Sequence, residues 1–529
     1  MKKCTAFLLF AFILLTKNIS AQTVSIQWQK NFGGSYDDSG NSINKTPDGG
    51  YILLGTTGSL DRDVSGLHGN LYDVWVVKTN STGNIQWKKC FGGTGTESAK
   101  LVKSTSDGGY IFVADTYSNN GDLTGHYGNL TVKDAWVVKL DSSGNMQWQH
   151  HFGGTSEDSV SSVVETPQGF LIVGYTYSSN ENIPANKGAT DAFAAFYDQQ
   201  GNLQWVKNYG GARYDYASSV VAGDNGFIVA GRSSSVDGDL LNANYHLNGS
   251  GVFYPDYWVF KIDFSGNMIW SKYYGGPAED FANSVAKTAD GGCIVAGYVQ
   301  SIGGDITLDN IHAGFWVVKL DTSGNMQWQK SYGGNNQDVP KEIRQSSDGG
   351  YIMTGVTYGN STYVTGYHNG LPGDMWVLKI NSSGVREWDR AFGGSQKDSG
   401  AGIVEANEGG FVSLGTTSSL NGDGDVIGNP YQVNDLWLIK LNAGVLETSE
   451  ISATPNDQVH IYPNPATNHF YVNSKSPVKQ VSIYTTSGIF ISADSPTDKL
   501  IKTENLIPGV YFVHIKTKDG IIIKKLIKE

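Results

Sequence analysis

Cysteine is scarce in this 529-residue chain. There are three, and Cys4 lies in an N-terminal stretch that reads as a removable leader. Cys90 and Cys293 stand 203 residues apart in different copies of a repeat, which argues against a disulfide between them and against a thiolate metal site. A basic excess is also missing. The formal charge is −12, so nucleic acid, which needs a basic surface, is not an expected partner. After the leader no apolar run is long enough for a transmembrane segment. Helix-favouring charged runs are few. No G-x-S-x-G, HExxH or phosphate-loop motif occurs, so the sequence offers no nucleophile, no metal pair and no cofactor.

Glycine, at 67 residues, and aromatics, at 12%, are abundant. That mixture suits many short strands joined by tight turns. Met1-Lys2-Lys3, the apolar run Thr5 to Leu15 and the small-residue end Ile19-Ser20-Ala21 have the layout of an export signal over 1–21, with mature protein starting at Gln22. An uncleaved anchor is the alternative, disfavoured by so short an apolar core.

A tryptophan followed four residues later by Phe or Tyr and then Gly-Gly recurs at Trp28, Trp87, Trp148, Trp205, Trp270, Trp328 and Trp388. The spacings are 59, 61, 57, 65, 58 and 60. A second aromatic position recurs at Trp75, Trp136, Phe193, Trp258, Trp316, Trp376 and Trp437, so the repeat accounts for all 13 tryptophans. None is left for a special task, which marks them as core. Each period reads as four strands, as in DVPKEIRQSS, YIMTGVTY, DMWVLKI and VREWDRAF, with DGG and NSSG as turns. One such sheet cannot cover its own faces, whereas copies stacked around an axis can, so the expected fold is all-β: a seven-bladed β-propeller over 22–446. A linear solenoid is the competitor, but the terminal repeats carry no polar caps. The array opens with a lone fourth strand, SIQWQKNF, and ends at DLWLIKLN without one, so the first should complete the last sheet.

The hairpin LDSSGNMQW resembles the tryptophan-docking segment of quinoprotein-type propellers, in which Asp, Gly and Trp tie neighbouring blades. Its turn is one residue shorter here, and there are seven copies rather than eight. A quinone cofactor is therefore not expected. The array as a whole is similar to DGGYIVAGxT-type repeats of exported bacterial proteins, a likeness that implies no shared reaction.

A polar linker, 447–458, precedes a tail at 459–529. Residues from 450 onward hold nine lysines, no arginine and seven acids, which leaves about −17 on the repeat array. Short alternating strands predict a small β-sandwich. The tail resembles the type IX secretion system C-terminal sorting domain. The resemblance is carried by Tyr462-Pro463-Asn464-Pro465, by VSIYTTSG, by Gly509 and Tyr511 of LIPGVYFVHI, and by Lys524-Lys525 near the C-terminus. It implies export through the periplasm, the type IX machinery as partner, and release or attachment at the outer cell surface.

Four residues after each Gly-Gly stands an acid: Asp38, Glu97, Asp158, Asp215, Asp280, Asp338 and Asp398. These should ring one mouth of the channel, either fixing the crossing loop or forming a cation or amine site. His68, His126, His246, His312 and His368 recur in the long loops at varying offsets and read as loop-shaping. The NGDGDVIGN stretch, Asn421 to Asn429, has Val426 where a calcium loop needs glycine. No pair of carboxylates stands apart from the repeat as a glycosidase would need. The expected function is binding or adhesion toward a glycan or surface protein, with a polysaccharide hydrolase or lyase as the alternative.

Overall fold

The computed structural model describes residues 24–240, 246, 254–307, 314–333, 337–359, 364–368, 372–429, 433–442, 459–474, 477–485, 490–494, 500–504, 506–517 and 521–528. The leader, the linker and His312 lie outside the described residues. The chain divides into two compact units, 1–443 and 444–529.

Among the described residues, strands make up nearly all the regular structure, with one short 3-10 turn at Gly238–Leu240. The first unit contains seven four-stranded antiparallel sheets. The first sheet runs Asp38–Lys45, Tyr51–Thr57, Asp73–Thr79 and Ile85–Phe91, each strand paired with the next. Five more repeat this meander, starting at Glu97, Asp158, Asp215, Asp280 and Val339. The seventh takes three strands from the C-terminal end of the array, beginning with Asp398–Glu405, and its fourth from Ile26–Phe32. That N-terminal strand pairs antiparallel with Asp435–Leu441, placing Trp28 opposite Lys440 and Asn31 opposite Trp437. Each first strand touches the first strand of the following sheet, and Asp398–Glu405 touches Asp38–Lys45, so the contacts close into a cycle.

Burial explains the residue choice along each sheet. The third strands Asp73–Thr79, Asp134–Leu140, Asp256–Ile262 and Asp374–Ile380 are buried at every residue, as expected for strands covered on both faces. The third-strand tryptophans of the six copies that have one, Trp75, Trp136, Trp258, Trp316, Trp376 and Trp437, are fully buried. The fourth-strand tryptophans lie across sheet junctions instead. A methyl group placed on Gly83, Gly144, Gly201, Gly266, Gly324 or Gly384 would stand 2.7–2.9 Å from the ring of Trp28, Trp87, Trp148, Trp205, Trp270 or Trp328 of the preceding sheet. These turn glycines have φ between 74 and 84°, which only glycine adopts without strain. Within each hairpin an Asp or Asn closes the turn. Asp141 Oδ1, for example, accepts the backbone N–H of Ser143 and of Asn145 at 2.8 Å.

The DGG turns are fixed by a buried lysine from the third strand. Lys78 Nζ donates to Asp48 at 2.8 Å, to Gln86 and to its neighbour's carbonyl. Lys139 with Asp107 and Lys319 with Asp290 repeat this. Burial opposes ionisation of these aspartates. The lysine bond, the bond from Thr46, Thr105 or Thr288, and the backbone N–H of Gly50, Gly109 or Gly292 outweigh it, holding each carboxyl at about 2.

The second unit has a three-stranded sheet, His460–Tyr462, His469–Asn473 and Leu500–Lys502, and a four-stranded one ordered Phe490–Asp494, Val478–Thr485, Gly509–Thr517 and Ile521–Lys528. Phe470 and Ile501 of the former join Val481, Val513, Ile515 and Leu526 of the latter in one buried cluster.

Candidate functional site

The seven acids that follow Gly-Gly are all fully buried. Each either opens a first strand or, for Asp338, immediately precedes one. Asp38 shows the pattern. It accepts the N–H of Gly34 at 2.7 Å, the hydroxyl of Ser59 at 2.8 Å and that of Thr57. Glu97, Asp158, Asp215, Asp280 and Asp398 accept the corresponding glycine N–H at 2.7–3.0 Å. Asp338 accepts from Tyr358 N–H at 3.0 Å. Each of these donors belongs to the acid's own crossing loop, to its second strand or to the loop after that strand.

A second acid, which the sequence reading passed over, opens the third strand: Asp73, Asp134, Asp191, Asp256, Asp374 and Asp435. All six are buried, and all but Asp191 meet the acid of the next sheet around the first glycine of the Gly-Gly pair; Asp191 still feels the charge of Asp215. A methyl group on Gly92 would stand 2.4 Å from Glu97 Oε2 and 2.6 Å from Asp73 Oδ1. Burial first, and then the facing carboxylate, raises Asp134 to about 8, Asp435 to about 7 and Asp256 to about 7. Histidines brace several of these junctions. His68 Nδ1 lies 2.8 Å from Asp73 and its Nε2 3.6 Å from Asp122 of the next sheet. His246 spans Asp256 and Asp305, and His368 spans Asp374 and Asp425, in the same way. His126 is 3.6 Å from Asp134. In the third sheet Lys187 takes this place between Asp191 and Asp239. The Asn421–Asn429 loop is closed by its own backbone, and its Asp425 pairs with Arg390 at 2.9 Å.

The residues that differ between copies lie elsewhere. A cavity of about 490 Å³ is lined by all seven first strands. At the third residue after each acid it receives Asn41, Lys100, Ser161, Ser218, Asn283, Lys341 and Ala401. Lys103 and Arg344, three residues further along their strands, line it as well. At these levels the cations come from the second and sixth sheets; Lys287 of the fifth also lines the cavity but is paired with Asp224 at 2.6 Å. Arg344 donates to the carbonyl of Ile43 at 3.1 Å and pairs with Glu342, which accepts the N–H of Ile403 at 2.8 Å. Lys103 and Lys341 have no ion pair among the described residues. Burial lowers Lys103 to about 8, with Arg344 adding and Glu342 opposing.

One arc at the end of these strands is aromatic. The residue after the acid and its partner on the second strand are Ser159–Tyr175, Tyr216–Arg232 and Phe281–Tyr298 in the third to fifth sheets. The equivalent Ser399 and Thr416 of the seventh sheet line the cavity. Tyr175 and Tyr216 meet edge to face at 4.9 Å, and the hydroxyls of Tyr177 and Tyr216 are 3.3 Å apart. The Arg232 guanidinium sits 4.6 Å from the Tyr216 ring and 4.5 Å from the Phe281 ring. It has no ion pair among the described residues. Lys133 joins this arc to the cavity wall, donating to Tyr175 at 3.1 Å and pairing with Asp115, which also holds Lys100 at 3.0 Å. Aligning the seven copies on their acids and reading the positions one, three and six beyond would have exposed Tyr216, Phe281 and the cavity cations from sequence.

In the tail, Asn464 bonds both ways to the last strand, donating to the Lys525 carbonyl and accepting the Ile527 N–H, each at 2.7 Å. Tyr462 is exposed and stacks with Tyr471. Tyr511 is buried and donates to the Ile507 carbonyl. Gly509 pairs with Lys528, Lys524 with Val513 and Lys525 with Phe512.

Residues 460–529 match the family described as the secretion system C-terminal sorting domain, so the tail is a type IX sorting domain. The regulatory protein FlaEY of Caulobacter vibrioides is 24% identical over 237 residues, covering 38% of this chain and 24% of that protein. The chain thus spans about a quarter of the length of this curated relative. Among solved structures, the Neurospora crassa Pan2 WD40 domain is 10% identical, with a TM-score of 0.39, over 77% of this chain and 97% of that one. PorZ, a surface component of the type-IX secretion system of Porphyromonas gingivalis, is 11% identical, with a TM-score of 0.24, over 97% of this chain and 88% of that one. Among the described residues no helix is long and apolar enough to cross a membrane.

Proposed function

We propose that the chain is an exported binding protein: a leader over 1–21, a seven-bladed β-propeller over 22–446, a linker over 447–458 and a β-sandwich sorting domain over 459–529. The leader carries it to the periplasm, the type IX machinery reads the tail, and the propeller binds a glycan or surface protein outside the cell. Seven sheets whose first strands contact one another in a closed cycle support the propeller. Two sheets sharing one buried cluster support the sandwich.

The observation that carries the binding role is where the copies diverge. Core tryptophans, turn glycines and buried acids are repeated almost without change, while the cavity-facing positions vary between Asn, Lys, Ser and Ala. Structure needs the repeated residues, so the varied ones are free to serve a ligand. A glycan array on the purified mature chain, run beside a reducing-sugar release assay, tests this. Array binding without sugar release is expected. Sugar release would move the protein to the polysaccharide-degrading class, and loss of the array signal on blocking the cavity residues would locate the site.

A further inference from the structure

We propose that the ligand is an acidic glycan, a chain of sugar rings bearing carboxylates, held across the cavity and its aromatic rim by Lys341, Lys103 and Arg232. This rests on the binding role proposed above.

Three chemistries converge there, and each fits one part of a uronate polymer. Arg232 lies between the rings of Tyr216 and Phe281 and has no carboxylate of its own among the described residues. A guanidinium held by two rings and without a carboxylate of its own is suited to take a ligand carboxylate in two parallel hydrogen bonds. Lys341 and Lys103 enter the cavity from other sheets and are likewise unpaired among the described residues, so cations stand at separate points around it. That separation suits a ligand with several anionic groups rather than one small ion. The aromatic rim offers apolar rings to the apolar face of a sugar. The side chains of Ser161, Ser218 and Asn283 on the intervening strands donate to and accept from hydroxyls. The unit's overall acidity would repel a polyanion everywhere except at this basic interior, which makes the cavity the point of attachment.

Titration calorimetry on the full mature chain provides the test, with oligogalacturonate and oligomannuronate as probes. One of the acids should bind, its methyl ester about tenfold or more weakly, and added salt should lower the affinity. Arg232→Ala and Lys341→Ala should each weaken binding by about tenfold while leaving the melting temperature unchanged. Equal affinity for acid and ester, unchanged affinity in both variants, binding of neither probe, or inorganic phosphate binding as tightly as the oligosaccharide would overturn the inference. Binding of neutral glycans on the array together with failure of these probes would leave the binding role standing and remove only its acidic specificity.

Discussion

The turn glycine between the third and fourth strands is the residue on which one sheet docks to the next. At Gly144 the backbone is at φ +74°, and a methyl group would stand 2.7 Å from the Trp87 ring. Gly144→Ala should therefore lose about 2 kcal/mol or more of stability, combining the left-handed conformation with a clash against a packed ring. Chemical denaturation checks this; an unchanged midpoint would show that the ring moves aside freely. The buried carboxylates make a second residue-scale prediction. Asp256 and Asp435 are raised to about 7 and Asp134 to about 8, with burial the main cause. Asp435 faces Asp38, Asp63 and, at 4.0 Å, Arg62; Asp256 faces Asp280 and His246; Asp134 faces Asp158 and His126. Folded values above the unfolded one mean that the folded state keeps protons the unfolded chain would release. Their contribution is present at acidic pH and is lost as pH rises through these values. His246 and His368, raised chiefly by their bonds to Asp256 and Asp374, lose theirs in the same direction. His151, lowered to about 4 by burial, acts oppositely, but only below its ordinary value of 6.5. The melting temperature should thus fall between pH 6.5 and about 8.5, and Asp435→Asn should flatten that fall. A melting temperature that rises across this range would contradict the burial argument. The tryptophans and glycines were legible in the sequence because they recur at fixed spacing. The carboxylate pairs were not, because each joins the third strand of one sheet to the first strand of the next.

At the scale of the element, the four-strand period was readable because turn residues and apolar runs alternate in every copy. The strand Ile26–Phe32 was legible as the missing partner of the last sheet, and it pairs there with Asp435–Leu441. Gln29 accepts the Trp437 indole N–H at 2.9 Å, the bond that Gln149 makes with Trp136 and Gln329 with Trp316 inside single sheets. Asn442 N–H donates to the Ser25 carbonyl, and Arg390 to that of Val24, at 2.7 Å for the latter. Removing residues 22–32 would expose the edge of Asp435–Leu441 and uncover part of the cluster around Trp75 and Leu438, to which Phe32 and Trp28 contribute. A sharp drop in melting temperature is expected, with recovery when a synthetic peptide of this segment is added. A deletion variant that melts like the parent would mean that the cycle does not need this strand. The cavity cations were harder to see. Lys100 and Lys341 stand in strands of ordinary polar composition, and only the register of all seven copies brings them to one space.

At the scale of the whole molecule, folding and delivery belong to different units. The tail's buried cluster is drawn from residues 459–526 alone, including Phe470, Val481, Val513 and Leu526, so it can form its own core. The clusters of the sheet array are built from Val24 to Leu441. A chain ending at Gln458 should accordingly fold its array with an unchanged melting temperature. The same truncation removes every residue that matches the sorting domain, from 460 to 529. Expressed in a host with type IX machinery, the truncated protein should collect in the periplasm, folded and protease-resistant, while the full chain reaches the surface or medium. Fusing residues 459–529 to an unrelated periplasmic protein should carry that protein outward. Normal surface delivery of the truncated chain would reduce the tail to a further binding module. A truncated chain that fails to fold would instead show that the tail contributes to the stability of the array, and would separate that role from sorting.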